Sequence, residues 1–92
     1  MESLSELREE INRIDLQMRL LFEERMRVSE RIASFKKARG LPVYDPEREK
    51  EKLEEGQASV KAEYRELYGE FLAKCMELSR RLQNEHLSEG PL

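Results

Sequence analysis

The sequence lacks several features by which small proteins are commonly stabilised or classified. Tryptophan is absent, and Cys75 is the single cysteine, which excludes an internal disulfide. A lone thiol in an apolar stretch fits a reducing, cytoplasmic compartment. No apolar run approaches the ~18 residues of a membrane span, and no secretory signal pattern is present. We therefore expect a soluble intracellular protein without membrane association.

The residues of several catalytic chemistries are also missing. His86 is the only histidine and lies near the C-terminal end, so neither a Ser-His-Asp set nor a Cys/His zinc cluster can be assembled. No glycine-rich phosphate loop occurs. The formal net charge of -3 argues against nucleic-acid binding, although a local basic pocket is compatible with it. An enzyme with this sequence would use neither a metal nor a covalent nucleophile, and would depend on binding geometry and fixed charge.

The first 38 residues contain neither proline nor glycine, and they carry an apolar seam whose spacing alternates between three and four. This periodicity predicts one long helix, with Ser3 or Ser5 as its cap and Arg39-Gly40 as its stop. The seam consists of Leu4, Leu7, Ile11, Ile14, Met18, Leu21, Val28, Ile32 and Phe35.

The length of this helix bears on the oligomeric state. A helix of ~36 residues is ~54 Å long, because each residue adds ~1.5 Å. A compact globule of 92 residues has a radius of gyration of only ~12 Å. One chain therefore cannot bury the whole seam by itself. We expect a homodimer in which the long helices pack against each other.

Two further helices are predicted after a short loop. Asp45 as N-cap and Pro46 at the first helical position predict a short second helix, ending at Gly56. Apolar periodicity predicts a third, long helix from about Ser59 to about Leu87.

These elements predict a single all-α domain over residues 1–92, with one very long, one short and one long helix. Residues 4–87 are expected to be ordered, and residues 88–92 are expected to fray.

Arg25 interrupts the apolar seam, in the slot between Leu21 and Val28. One interpretation is a polar residue that sets the register of a helical dimer. The other is an anion site, because a buried guanidinium needs a partner and suits a carboxylate. Ser29 lies one turn further on, and Lys36 lies about 20° from Arg25 around the helix. Two cations on one face favour the anion site.

Arg8 lies at the border of the seam. It is either an exposed arginine near a helix end or, if the long helices pair antiparallel, a residue that enters the pocket of the partner chain. Asp45, Arg48 and Glu49 share one face of the second helix. They form either a cap with a surface ion pair, or a site in which Glu49 accepts from a substrate hydroxyl while Asp45 steadies Arg48.

Ser79 and Gln83 lie four residues apart and share a face of the third helix. They are either polar surface residues or, if that face points inward, neutral donors to a ligand. The ordered pattern of candidate residues reads Leu7-Arg8-Glu9, Ile14-Asp15, Glu24-Arg25, Lys36, Pro42-Val43, Asp45-x-x-Arg48-Glu49 and Ser79-x-x-x-Gln83.

In order and spacing, this pattern resembles the all-helical chorismate mutases, the AroQ class, from about residue 4 to residue 87. The resemblance implies an intertwined homodimer whose two active sites each draw on both subunits. It also implies the Claisen rearrangement of chorismate to prephenate, on the route to phenylalanine and tyrosine. That isomerase reaction requires no cofactor and proceeds by conformational restraint and electrostatic stabilisation.

The resemblance further implies a role for each candidate residue. Arg25, and Arg8 from the partner chain, would bind the two carboxylates of chorismate, and Ser79 would assist at one of them. Lys36 and Gln83 would donate hydrogen bonds to the ether oxygen, where negative charge grows as the C–O bond breaks.

Glu49 would hold the ring hydroxyl, while Asp45 and Arg48 would shape the loop and the pocket wall. Two other functions stay open on the sequence. An isochorismate-pyruvate lyase would share the fold and take a similar anionic substrate. A non-catalytic helical dimerisation module would account for the seam, but not for the combination of Arg25, Lys36, Glu49 and Gln83.

Overall fold

The computed structural model describes residues 1–88, which form three α-helices and no strand. Helix α1 spans Leu4–Ala38, α2 spans Pro46–Ser59 and α3 spans Arg65–Ser88, with a 3₁₀ turn at Ala62–Tyr64 just before α3. The predicted all-α class, with one very long, one short and one long helix, is confirmed. None of these helices combines the length and the apolarity that a membrane crossing requires.

Both ends of α1 follow from local sequence. The Ser3 hydroxyl accepts from the backbone N–H of Glu6 at 3.1 Å, and the Glu6 carboxylate accepts from the Ser3 N–H at 3.5 Å. This capping box satisfies two donors at the helix start. At the other end Gly40 has φ +66°, a left-handed conformation that glycine adopts without steric cost. The predicted stop at Arg39-Gly40 is confirmed.

Helix α2 begins as predicted but ends later. Asp45 is its N-cap, since the side chain accepts from the Arg48 N–H at 3.1 Å, and Pro46 is the first helical residue. The predicted end at Gly56 is wrong. A Cβ at Gly56 would lie 2.9 Å from side-chain atoms of both Leu72 and Tyr68. The glycine therefore allows α2 to approach α3 closely, and it does not end the helix.

The predicted start of the third helix at Ser59 is also wrong. The Ser59 hydroxyl donates to the Glu55 carbonyl at 2.7 Å, and Val60 is extended, so α2 is completed before the chain turns. Helix α3 begins only at Arg65, and it ends within one residue of the predicted position. Ser88, expected to fray, belongs to α3, while residues 89–92 lie outside the described part of the chain.

Helix α3 packs against both α1 and α2, and the resulting core is small. Among residues 1–88, the buried apolar side chains are Ala33, Leu72 and Met76. Every residue from 1 to 24 is exposed. The radius of gyration is 16.8 Å, well above the ~12 Å of a compact chain of this length. The seam of α1 is therefore not buried within its own chain.

Candidate active site

A cavity of about 300 Å³ opens where the C-terminal part of α1, the loop after it, the start of α2 and the second half of α3 meet. Small-molecule sites begin at about this volume. Seven of the eight residues proposed from the sequence line it: Arg25, Lys36, Asp45, Arg48, Glu49, Ser79 and Gln83.

Arg8 is the eighth, and it does not line this cavity. It is exposed, and it precedes Arg25 by seventeen positions on one continuous helix. That separation corresponds to ~25 Å along the axis. Arg8 therefore cannot reach the cavity of its own chain, and its entry into a partner's cavity stays a prediction.

Arg25 links α1 to α3 and faces the cavity. Its Nη1 donates to the Cys75 carbonyl at 3.4 Å, and the side chain is half-buried. One turn later Ser29 is buried, and its hydroxyl lies 2.5 Å from that of Ser79. The hydrogen bond of Arg25 is therefore made to α3 of its own chain.

Lys36 lies on the same side of the cavity as Arg25, as the helical spacing predicted. Its Nζ donates to the carbonyl oxygen of Val43 at 2.9 Å, which ties the loop after α1 to the helix. An ammonium has three donors, so two are left for a ligand. The lysine is thus anchored in position while it keeps its capacity to donate.

Asp45 meets Arg48 through the backbone, because the capping hydrogen bond goes to the Arg48 amide. This hydrogen bond confirms the predicted N-cap role of Asp45. Within the described residues, the side chains of Asp45 and Arg48 form no ion pair. The Glu49 carboxylate instead pairs with Arg80 of α3.

Ser79 and Gln83 point inward, so their interpretation as polar surface residues is wrong. Each is only 7% exposed, and Gln83 Nε2 donates to Ser79 Oγ at 3.5 Å. Gln83 Oε1 is buried and has no hydrogen-bond partner within residues 1–88. A buried acceptor without a partner costs about 1–3 kcal/mol, which a ligand group or water molecule that donates a hydrogen bond would remove.

Sequence reasoning missed two cations in the lining, Lys52 and Arg80. Arg80 lies over the ring of Tyr44 at 4.9 Å, and its hydrogen bond to Glu49 raises its pKa above the ordinary value. Helical spacing carries the signal for both. Lys52 is one turn after Glu49, and Arg80 is one turn before Gln83. Because both residues have charged neighbours in the sequence, this spacing alone did not distinguish them from surface charges.

The electrostatic character of the cavity is opposite to that of the chain. Within the described residues, five cationic side chains and two carboxylates line it, a formal balance of +3 against -3 for the whole sequence. The cationic residues are Arg25, Lys36, Arg48, Lys52 and Arg80. Concentrated positive charge in a concave site favours a small anionic ligand carrying more than one negative charge.

Neither a metal site nor a role for His86 in the cavity is supported within the described residues. No group of three His, Cys, Asp or Glu residues within 1–88 is arranged to hold a metal ion. His86 lies outside the cavity, with its Nε2 3.1 Å from the Ser34 hydroxyl.

Two curated proteins are similar in sequence to this chain. A bifunctional chorismate mutase/prephenate dehydratase from Aquifex aeolicus is 34% identical over 100 residues, which cover 99% of this chain and 27% of that protein. The T-protein of Haemophilus influenzae is 41% identical over 49 residues, which cover 53% of this chain and 13% of that protein. The chain thus spans about a quarter or less of the length of these curated relatives.

No solved structure matches at a comparable level of significance. The family assignment comes from the sequence profile of chorismate mutase type II, which matches residues 7–84. That range includes all eight candidate residues and most of the three helices. The chain therefore belongs to the chorismate mutase type II family.

Proposed function

We propose that this chain catalyses the Claisen rearrangement of chorismate to prephenate. The observation that carries the proposal is the cavity, which combines a formal charge of +3 with seven of the eight residues to which the resemblance assigns a role. Chorismate carries two carboxylates, so its charge complements that of the site. The Aquifex relative, whose name includes chorismate mutase, aligns over 99% of this chain.

The reaction is unimolecular. The ether C–O bond breaks as a new C–C bond forms, and no atom, proton or electron is exchanged with the protein. The enzyme has two tasks, which are to hold chorismate in the compact diaxial form and to stabilise charge in the transition state. Holding reacting ends together can lower a barrier by several kcal/mol, because the entropic cost is met on binding.

Two arginines hold the carboxylates in this proposal. Arg25 supplies one clamp, and its donation to the Cys75 carbonyl uses only part of a guanidinium with five N–H donors. Arg8 of the partner subunit supplies the other. The Ser79 hydroxyl, at the buried end of the cavity, assists at a carboxylate.

Lys36 and Gln83 donate to the ether oxygen. Negative charge develops there only as the C–O bond breaks, so these hydrogen bonds favour the transition state over the bound substrate. Each such donor contributes about 3 kcal/mol, by analogy with a single oxyanion-hole donor. The anchoring of Lys36 to Val43 and of Gln83 to Ser79 supports a site prepared before substrate arrives.

Glu49 accepts from the ring hydroxyl of chorismate, and Asp45 and Arg48 form the wall at the start of α2. Asp45 acts by capping the helix that carries the other two. Because Glu49 faces the cavity from α2 and Ser79 faces it from α3, the substrate is bound between these helices.

An intertwined homodimer completes the site in this proposal. The seam of α1 is exposed along its length, with Ile11 55% and Leu21 63% exposed, and a second copy would cover it. Leu21 is the midpoint of α1. If two such helices cross antiparallel at their midpoints, position 8 of one lies opposite roughly position 34 of the other, next to Lys36.

The experiment is a chorismate-consumption assay with product identification, on the purified protein. We expect prephenate at a rate far above the uncatalysed one. Chorismate consumed only at its uncatalysed rate would overturn the proposal. Incubation with isochorismate is run in parallel, because release of salicylate and pyruvate would identify a lyase instead. The hydroxyl acceptor Glu49 favours the mutase.

A further inference from the structure

Arg80 makes contacts with two other parts of the cavity wall. Its guanidinium pairs with the Glu49 carboxylate of α2 and lies 4.9 Å from the ring centre of Tyr44 in the loop. The side chains of Arg80 and Glu49 are 30% and 23% exposed, so the pair is partly shielded from water. It joins residues 31 positions apart on different helices.

The ion pair engages one of the two carboxylate oxygens of Glu49. Arg80 Nη1 donates to Oε1, and Oε2 has no protein donor within residues 1–88. A glutamate side chain has three rotatable bonds, so a single fixed oxygen greatly limits where the other one points. Oε2 is then the oxygen available to a ligand's hydroxyl group.

Another cation could attract Glu49 away from this position. Lys52 lies one turn after Glu49 on α2 and also lines the cavity. A pair within α2 would follow the movements of that helix alone. The Arg80 pair instead ties the carboxylate to α3, which carries Ser79 and Gln83, so the position of Glu49 is linked to the helix of the neutral donors.

We propose that Arg80 is a positioning residue, which holds the Glu49 carboxylate so that Oε2 receives the ring hydroxyl of the substrate. This inference rests on the proposed mutase function. Arg80 itself does not touch the reacting atoms, and it acts through Glu49. Tyr44 stacks on the guanidinium and limits its alternatives.

The test compares kcat/KM for chorismate among the wild type, Arg80→Gln and Arg80→Lys. We expect Arg80→Gln to lose about tenfold or more, because a small misplacement of a binding group has effects of this size. Arg80→Lys keeps the charge and regains part of the loss. Arg81→Gln is the matched control, since Arg81 is exposed and does not line the cavity.

A double-mutant cycle separates positioning from a structural role. If Arg80 acts through Glu49, Arg80→Gln has little further effect on kcat/KM in a Glu49→Gln background. A loss by the same factor in both backgrounds would overturn the inference, as would wild-type activity in Arg80→Gln. Arg80→Met, which keeps the apolar stem, replaces Arg80→Gln if that variant does not fold.

The wild type is assayed first, so that the two proposals are separated. A wild type that leaves chorismate untouched overturns both the mutase function and this inference. An active wild type together with an unaffected Arg80→Gln overturns the role of Arg80 alone.

Discussion

The hydroxyl groups of Ser29 and Ser79, fifty residues apart in the sequence, lie 2.5 Å apart in the interior. Ser29 belongs to α1 and Ser79 to α3, so this hydrogen bond joins two helices that form the cavity. Gln83 donates to the same Ser79 oxygen. The buried end of the cavity therefore contains a small polar network, which links the position of the Gln83 amide to α1.

Loss of the Ser29 hydroxyl should destabilise the fold. We expect Ser29→Ala to lower the free energy of unfolding by about 1 kcal/mol, since a buried hydrogen bond is removed. Urea unfolding measures this free energy, at one fixed protein concentration because the stability of the proposed dimer would depend on concentration. Ser34→Ala is the control, since it removes an exposed hydroxyl bonded to His86. An equal decrease in the free energy of unfolding in the two variants would contradict a stabilising role of the buried network.

Arg25→Ala separates a mutase from a non-catalytic dimer. We expect a folded protein whose kcat/KM falls by about 100-fold or more, because charge-assisted hydrogen bonds to a substrate carboxylate are lost. Arg27→Ala, which removes an exposed arginine paired with Glu23, should retain activity. Unchanged turnover in Arg25→Ala, with unchanged or higher stability, would favour a structural role for Arg25.

Mixing two inactive variants tests whether Arg8 works in the partner's site. Arg8→Ala and Lys36→Ala should each be nearly inactive. In a heterodimer one site carries both changes and the other carries neither. Equal amounts, unfolded and refolded together, should recover about a quarter of wild-type activity, since half of the dimers are mixed and each has one intact site.

A mixture no more active than its two components would contradict the shared site. The control is a mixture of Lys36→Ala with Gln83→Ala. Lys36 and Gln83 line the same cavity of one chain, so a mixed dimer has one altered residue in each site and no intact site. Recovery in that mixture would show that the refolding procedure, not subunit sharing, restores activity.

The neutral side-chain amide of Gln83 leads to a prediction for the pH dependence of the reaction. An amide keeps its protons at every pH, so the wild type should retain activity through neutral pH. The carboxyl group introduced by Gln83→Glu donates only when protonated, and a glutamic acid has a reference pKa of about 4.3. The activity of that variant should therefore rise as the pH falls. Collapse of wild-type activity above about pH 6 would contradict a neutral donor at this position.

Local chemistry made several features predictable from the sequence. The capping box at Ser3, the left-handed Gly40 and the Asp45-Pro46 helix start depend on residues within one turn of each other. The cationic face of α1 was predictable for the same reason, since helical spacing alone brings Arg25 and Lys36 to one side. The pattern of polar residues was specific enough to indicate the family.

The tertiary structure decided the rest. A glycine such as Gly56 is typical of a helix end, yet Gly56 lies inside α2. The reason is that side chains of Leu72 and Tyr68 from α3 occupy the space that a Cβ would need. Arg80 was not among the residues proposed from the sequence, because its pairing with Glu49 depends on the packing of α2 against α3. Periodicity describes the faces of one helix, whereas these contacts depend on the crossing of two helices, and no spacing along the chain encodes that crossing directly.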